Sequence, residues 1–245
     1  MKKKLIALII VTAFTAALNI QAKTYTYSNN NEDFDMSFKI GYYIVNGDSE
    51  LWDYNSELYY FNKDDLNSFM GAVGLNFHVS NILTISLEVG ASYGHTLTEY
   101  ADYVDEDGFP IETDIELSVV PVEVSLKISP FGRGNYIGRF SAYEKHSFIP
   151  YFGGGVGAYF YDYREWGDYI NFDAGEIIYA EFESFDVGVG YFIVAGFEIP
   201  MGKSMGFIAE YKQTWAKAKL SEDFYGFDDF DLGGKTISVG FTMEF

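Results

Sequence analysis

The chain of 245 residues contains no cysteine. This excludes a disulfide framework and a lipid-modified amino-terminal cysteine, so stability has to come from packing and backbone pairing. Basic residues are scarce, 16 against 36 acids. A face that neutralises phosphates cannot be built from that balance, and no nucleic-acid partner is expected. After Ala22 no apolar run approaches the roughly 20 residues of a membrane-spanning helix, and helical periodicity is poor. Only three histidines are available for acid–base chemistry, His78, His95 and His146.

What is present begins with Lys2, Lys3 and Lys4, followed by the apolar stretch LIALIIVTAFTAAL and then NIQA. Charged, apolar, then polar is the order of a secretory signal peptide, with cleavage expected after Ala22. Its removal takes three lysines and no acid, so the net charge of −20 becomes −23. Residues 23–34 form a short leading segment before the main domain, residues 35–245. An acidic chain of this kind would be disordered if it were poor in apolar residues, but 48% are hydrophobic and 19% aromatic. Composition therefore requires a folded protein.

Period-two alternation recurs along that domain. MSFKIGYYIV from Met36, FMGAVGLNFHV from Phe69, LTISLEVGASY from Leu83 and VPVEVSLKI from Val120 each place apolar side chains on one strand face. YFGGGVGAYF from Tyr151, FDVGVGYFIVAGFEI from Phe185, MGFIAEYKQTW from Met205 and KTISVGFTMEF from Lys235 do the same. Such faces fit a soluble sandwich with an apolar core, or a barrel with lipid outside and polar groups inside. The connections separate the two. SN at Ser80–Asn81 and PMGKS from Pro200 are hairpin turns. The stretches 46–67, 95–116, 162–184 and 219–234 are long, and together they carry 26 of the 36 acids. Long acidic loops at one end and short turns at the other are the pattern of a transmembrane barrel. The connection 129–148 is long but basic, with Arg133, Arg139 and Lys145 against Glu144, so its charge groups it with the short-turn end.

PVEVSLKI, IPYFGGGVGAYF, GYFIVAGFEIP and MGFIAEYKQTW resemble successive strands of the small outer-membrane β-barrel family, the OmpA- and OmpX-like group, over residues 35–245. The resemblance implies an all-β, eight-stranded, antiparallel up-and-down transmembrane β-barrel in a Gram-negative outer membrane, with both termini periplasmic and long extracellular loops. It implies contact with outer-membrane lipids, lipopolysaccharide and the barrel assembly machinery, and no cofactor. Phe241, Met243 and Phe245 resemble the C-terminal assembly signal of such proteins. The expected role is structural, or interaction with an unidentified extracellular ligand through acidic, aromatic loops; a narrow small-solute channel is the alternative.

An eight-stranded barrel has an interior just wide enough to be filled by side chains. Lys39, Glu88, Glu123, Glu210 and Lys212 fall near mid-height on the inward faces, and buried charges need partners, so a lumen charge network is expected there. HVSN at His78–Asn81 resembles the His-x-Ser-Asn of outer-membrane lipid A deacylases. It lies at the short-turn end, away from an outer-leaflet substrate, so no enzyme and no catalytic residue is expected. DYVDEDGFP offers Asp102, Asp105 and Asp107 as divalent-cation candidates, although Tyr103 stands where an EF-hand's first carboxylate belongs. Trp52, Tyr54, Tyr59, Tyr60, Tyr100, Tyr103, Phe109, Trp166, Tyr169 and Phe172 are candidates for a loop binding surface, for the membrane interface or for hairpin extensions above it.

Overall fold

The computed structural model describes residues 34–137, 142–172, 174–202 and 204–244. The expected signal peptide, all but the last residue of segment 23–34, and Phe245 lie outside them. Eight long strands form the molecule: β1 (Phe34–Val45), β2 (Ser68–His78), β3 (Leu83–Val104), β4 (Pro110–Ile128), β5 (Ile149–Asn171), β6 (Glu176–Pro200), β7 (Met205–Ala218) and β8 (Gly234–Glu244). Each pairs antiparallel with its chain neighbour, and β8 returns to β1 in register from Asp35↔Glu244 to Val45↔Gly234. The result is a closed eight-stranded up-and-down barrel. No helix of the described residues is long and apolar enough to cross a membrane.

Alternation decides which side chains face out. Phe69 is 83% exposed, Val189 77% and Ile40 70%, and exposed apolar residues continue around every strand. A belt of that extent is unfavourable in water and fits hydrocarbon. Aromatic pairs rim it on both sides. Tyr42–Phe69 and Tyr191–Trp215 lie toward the long-loop end; Phe34–Phe77 and Phe148–Phe197 lie toward the short-turn end. From Phe69 to Phe77, eight steps of about 3.3 Å at the usual tilt cover roughly 20 Å, close to the height of a bilayer's apolar band.

The strands are unequal. β3, β4, β5 and β6 run 22, 19, 23 and 25 residues, about twice what a crossing needs. The acidic stretches 95–116 and 162–184, expected as loops, are therefore mostly strand: the β3–β4 and β5–β6 hairpins continue above the apolar belt, the first with a register shift between Glu99 and Val104, the second without one. Their charge is compatible with strand because the outer face meets water there, while inward residues such as Ile111, Ile115, Leu117 and Tyr163 are buried. Segments 46–67 and 219–233 remain true connections. The first carries helix α1 (Glu50–Leu58) and a 3₁₀ turn at Lys63–Leu66, capped by Asn62 and Asp65; the second carries a 3₁₀ turn at Glu222–Phe224.

Inward glycines on β5 make the lumen fit. A Cβ on Gly155 would meet Phe192 Cζ at 2.7 Å, and one on Gly157 would meet Glu123 Cγ at 2.9 Å. Replacing Gly157 with leucine is expected to displace Glu123 and lower stability by about 1–3 kcal/mol through overpacking. A urea-unfolding midpoint measured in micelles checks this; an unchanged midpoint contradicts this packing.

Candidate functional site

The barrel encloses a lumen, and its inward side chains fall into three storeys among the described residues. At mid-height, β1 supplies Lys39, β3 Glu88, β4 Glu123 and Lys127, and β7 Glu210 and Lys212. Lys39 Nζ donates to Glu210 at 2.7 Å and also contacts Glu88. Lys212 donates to Glu88 at 2.9 Å and to Glu123. Lys127 donates to the other Glu210 oxygen at 2.8 Å, where the Tyr151 hydroxyl joins at 3.0 Å. The Tyr159 hydroxyl closes the set on Glu123 at 2.9 Å. Three lysines face three glutamates, so the layer is neutral as a whole and each charge has a partner. That satisfies the condition for keeping ions in a low-dielectric lumen. The structure brings together all five residues picked out by inward phase and height. Lys127 shares that phase but sits closer to the turn, and its long side chain reaches up.

Beneath this layer lies the mouth at the short-turn end. The connection 129–148 does not hang free: Arg133 is buried, donating to both oxygens of Glu198 at 2.9 and 3.2 Å, with Asp35 at 3.8 Å and Glu244 at 3.7 Å. Lys145 from the same connection pairs with Glu244. Its flanks form a small ribbon, Gly134–Ile137 against Ala142–Lys145. Asn81 fastens it, accepting from the Arg133 and Gly134 amides at 2.9 and 3.1 Å. The basic character of this segment thus has a physical use, because its cations neutralise carboxylates at the mouth.

His78 belongs to the same storey. Its Nε2 is 2.7 Å from Asp35 and its Nδ1 is 2.9 Å from the Thr84 hydroxyl. Ser80 lies in the turn, its hydroxyl near the Ile82 amide at 3.4 Å. Both imidazole nitrogens are occupied by groups other than Ser80, so no nucleophile–base pair forms. His95 contacts Asp114 at 2.8 Å on the outer sheet face and stacks on Trp166; His146 contacts Asn135 and the Gly132 carbonyl.

The third storey corrects the expectation for the aromatic residues. Helix α1 and its following turn fold into the outer mouth, where Trp52 stacks between Phe61 and Phe230 at 5.9 and 5.1 Å. Tyr163, Tyr161 and Phe224 complete a dry cluster around Phe230, and Tyr59 packs edge-on to Tyr100 at 4.8 Å. Trp52, Tyr59 and Tyr100 are core, not binding surface. Tyr169 is half-buried against Phe182, and Trp166 is half-buried on the outer face. Tyr54, Tyr60, Tyr103, Phe109 and Phe172 remain exposed.

The cation candidates Asp102, Asp105 and Asp107 do not converge. Asp105 accepts from the amides of Asp107 and Phe109 at 3.0 and 2.7 Å, so it shapes the β3–β4 turn around Gly108. Among the described residues no group of three His, Cys, Asp or Glu is disposed to hold a metal ion.

Among the described residues, Glu165 in the outer storey makes no ion pair. Glu165 is 5% exposed, accepting from Asn55 Nδ2 at 2.6 Å and from the Tyr163 hydroxyl. Burial pushes its carboxyl above the usual range, against the lowering effect of those two donors. Asp231, accepting from the Asp48 and Gly233 amides, is raised by burial as well. Sequence reading missed Glu165 because the strand was expected to end at Phe160; its phase with Tyr159 and Tyr161 was the available signal.

Between the storeys remain two cavities of about 30 Å³ each, room for a water or so. One lies by Tyr43, Met70 and Lys212, the other by Asp35, Arg133 and Tyr151.

Lys212→Met leaves Glu123 as an unpaired buried charge and is expected to cost about 3–5 kcal/mol; adding Glu123→Gln should restore more than half. Unfolding in urea, followed by tryptophan fluorescence in micelles, reads both, and no rescue by the second change would refute the pairing. For Glu165 the folded-state value is raised, so the plug binds the proton more tightly than the open segment does. Plug stability is then full below about pH 4 and declines as pH rises above it toward the folded value. Amide exchange at Tyr59 and Tyr60 should quicken, beyond its intrinsic dependence on pH, over that interval. Glu165→Gln should remove at least half of this extra slope, and an unaltered slope would clear Glu165 of the effect.

No protein-family model and no curated protein matches the chain. Solved structures do. The outer membrane protein OprG from Pseudomonas aeruginosa superposes with a TM-score of 0.50 at 13% identity, covering 86% of this chain and 95% of OprG. Neisserial surface protein A aligns at 10% identity over 88% of this chain and 98% of its own, with a TM-score of 0.46. Ail, the attachment invasion locus protein of Yersinia pestis, aligns at 13% identity over 86% and 99%, with a TM-score of 0.42. At such identities only the fold is shared, and it is the likeness to OprG that bears on it. The chain has the fold of the small outer-membrane β-barrels, eight antiparallel strands closed around a filled lumen.

Proposed function

We propose that this chain is an integral protein of a bacterial outer membrane that acts as a structural and surface-interaction element and conducts no solute. One observation carries the reading. The lumen is closed three times over, by Arg133 at the lower mouth, by the six-membered charge layer, and by the aromatic plug under α1. What remains available to the outside is the sheet that overhangs the apolar belt. In this reading residues 1–22 direct export, both termini face the periplasm, and the overhang is extracellular. Phe241 and Met243, exposed on the outer face of β8, contribute with Phe245 to recognition by the assembly machinery. The outer rim meets lipopolysaccharide, whose phosphates and the chain's carboxylates repel unless divalent cations bridge them.

A narrow solute channel is the alternative, and no geometric feature favours it. The test joins two measurements. Unheated protein from the outer-membrane fraction should migrate faster on a gel than boiled protein, and purified barrel in planar bilayers should show no conductance steps at neutral pH. A detergent-free soluble protein would end the membrane assignment; regular single-channel steps would convert the reading to a channel.

A further inference from the structure

The seam that closes the barrel sets two acids against each other. Asp35 and Glu244 are register partners at the short-turn end of β1 and β8. Both side chains face the lumen, where that of Asp35 is 1% exposed and that of Glu244 4%. Like charges directly opposite each other on neighbouring strands oppose pairing. Burial sharpens the conflict, because water is not there to screen the two carboxylates. The next inward pairs of the seam, Ser37 with Thr242, Lys39 with Gly240 and Gly41 with Ser238, bring no opposite charges together across it. Seen from the lumen, the lower end of the closure is unfavourable on its own and has to be satisfied from elsewhere in the ring.

The cations come from the far side of the barrel. In the ring of eight, the connection between β4 and β5 stands opposite the junction of β8 and β1. From there Arg133 crosses the mouth to lie 3.8 Å from Asp35 and 3.7 Å from Glu244, and Lys145 pairs with Glu244. The arm that carries Arg133 is secured without help from β1 or β8. In the β2–β3 turn, Asn81 accepts from the Arg133 and Gly134 amides and donates to the Gly134 carbonyl at 2.9 Å. The Ser129 amide donates to the Ile82 carbonyl at 2.9 Å, and Glu198 of β6 holds the guanidinium through both its oxygens. These partners all lie between β2 and β6, which are consecutive in the chain. The arm can therefore be set before the two terminal strands meet.

We infer that Arg133 and Lys145, carried by the β4–β5 connection, form a clasp that orders barrel closure: β8 pairs with β1 only after the β2–β6 sheet has placed these cations between Asp35 and Glu244. Before the arm is set, the two acids repel and hold the terminal strands apart. Once it is set, the same acids become the groups that the clasp grips, since a buried charge is tolerable only with a partner. His78 and Asn76 of β2 hold Asp35 as well, at 2.7 and 2.6 Å, so β1 is fixed to its own neighbour and β8 is the strand that arrives last. The clasp concerns how the barrel closes and is independent of whether the lumen conducts.

The test refolds the chain without residues 1–22 from urea into lipid vesicles and times two disulfide cross-links under a lipid-soluble oxidant. The chain has no cysteine of its own, so each introduced pair reports one junction. Phe38→Cys with Phe241→Cys are register partners on the outer face of the seam; Leu75→Cys with Leu87→Cys, partners in the β2–β3 hairpin, are the reference. The clasp is removed by Arg133→Met and Lys145→Met, with Glu198→Gln so that no carboxylate is orphaned away from the seam. The seam cross-link is expected to slow about tenfold while the hairpin cross-link keeps its rate. Adding Glu244→Lys, which sets a cation directly opposite Asp35, should restore most of the lost rate without the clasp. An unslowed seam would overturn the clasp, and so would equal slowing of both cross-links in a variant that still folds. If the variant without the clasp fails to fold, recovery of folding and of the seam cross-link by Glu244→Lys supports the clasp, and no recovery overturns it.

Discussion

Backbone pairing inside hydrocarbon governs this molecule. A chain whose apolar side chains face lipid on all sides cannot leave an N–H or C=O unpaired within the bilayer, so its strands have to close. Closure through β8 and β1 meets that demand, and eight strands then leave a lumen narrow enough for side chains to fill. Every inward residue is thereby buried, whatever its chemistry. Polar groups there need partners because of a decision made by the backbone, and the three lysines and three glutamates of the middle layer answer that need. Glycines on β5 serve the same constraint, since Phe192 and Glu123 occupy the volume that side chains at 155 and 157 would take.

The division of the lumen into ionic and aromatic storeys follows from where the covering material comes from. Alongside the bilayer, only the strands contribute, and their inward positions must supply both halves of each pair. Above the apolar belt the wall is incomplete on the side of β7, β8, β1 and β2, and the connections 46–67 and 219–233 fold over the gap. Such segments bring large apolar side chains without lipid on their other face, so Trp52, Phe61, Phe224 and Phe230 pack as in the core of a soluble protein. Glu165 is the exception inside that core. It ties α1 to β5 through Asn55 and Tyr163, and it does so without a counter-ion.

Period two made the barrel legible in the sequence. All eight strands, their inward and outward faces and the five mid-height charges could be found because each depends only on phase along one strand. Partners brought by connections could not. Arg133 reaches the lumen from a turn with no periodicity, and Glu198 matters only because Arg133 arrives. Trp52 and Tyr59 are not legible as core for the same reason, since amino-acid type in a loop does not say which way the loop folds. The acidic stretches 95–116 and 162–184 mislead differently: their outer face carries acids to water and their buried inner face mixes Thr98, Thr113 and Glu165 with apolar residues, so the apolar alternation that identifies strand is weakened and Glu165 is hidden with it.

Unequal strand length carries the remaining consequence. Four long strands beside four short ones produce a sheet that is closed in the membrane and open above it, with two bare edges where the ring is interrupted. The edge on β3 is covered by its own chain, through the bridge of Tyr59 to Tyr100 and the Tyr60 amide on the Glu99 carbonyl. On β6 the cover from the 219–233 connection reaches Glu183 and stops. The asymmetry has a simple origin. The 46–67 segment is anchored deep in the mouth by Trp52 and can climb along β3, whereas the later segment is drawn back by Phe224, Phe230 and Leu232 into the aromatic cluster before it can follow β6 upward. The packing that seals the pore is thus the same packing that leaves the upper edge of β6 unpaired.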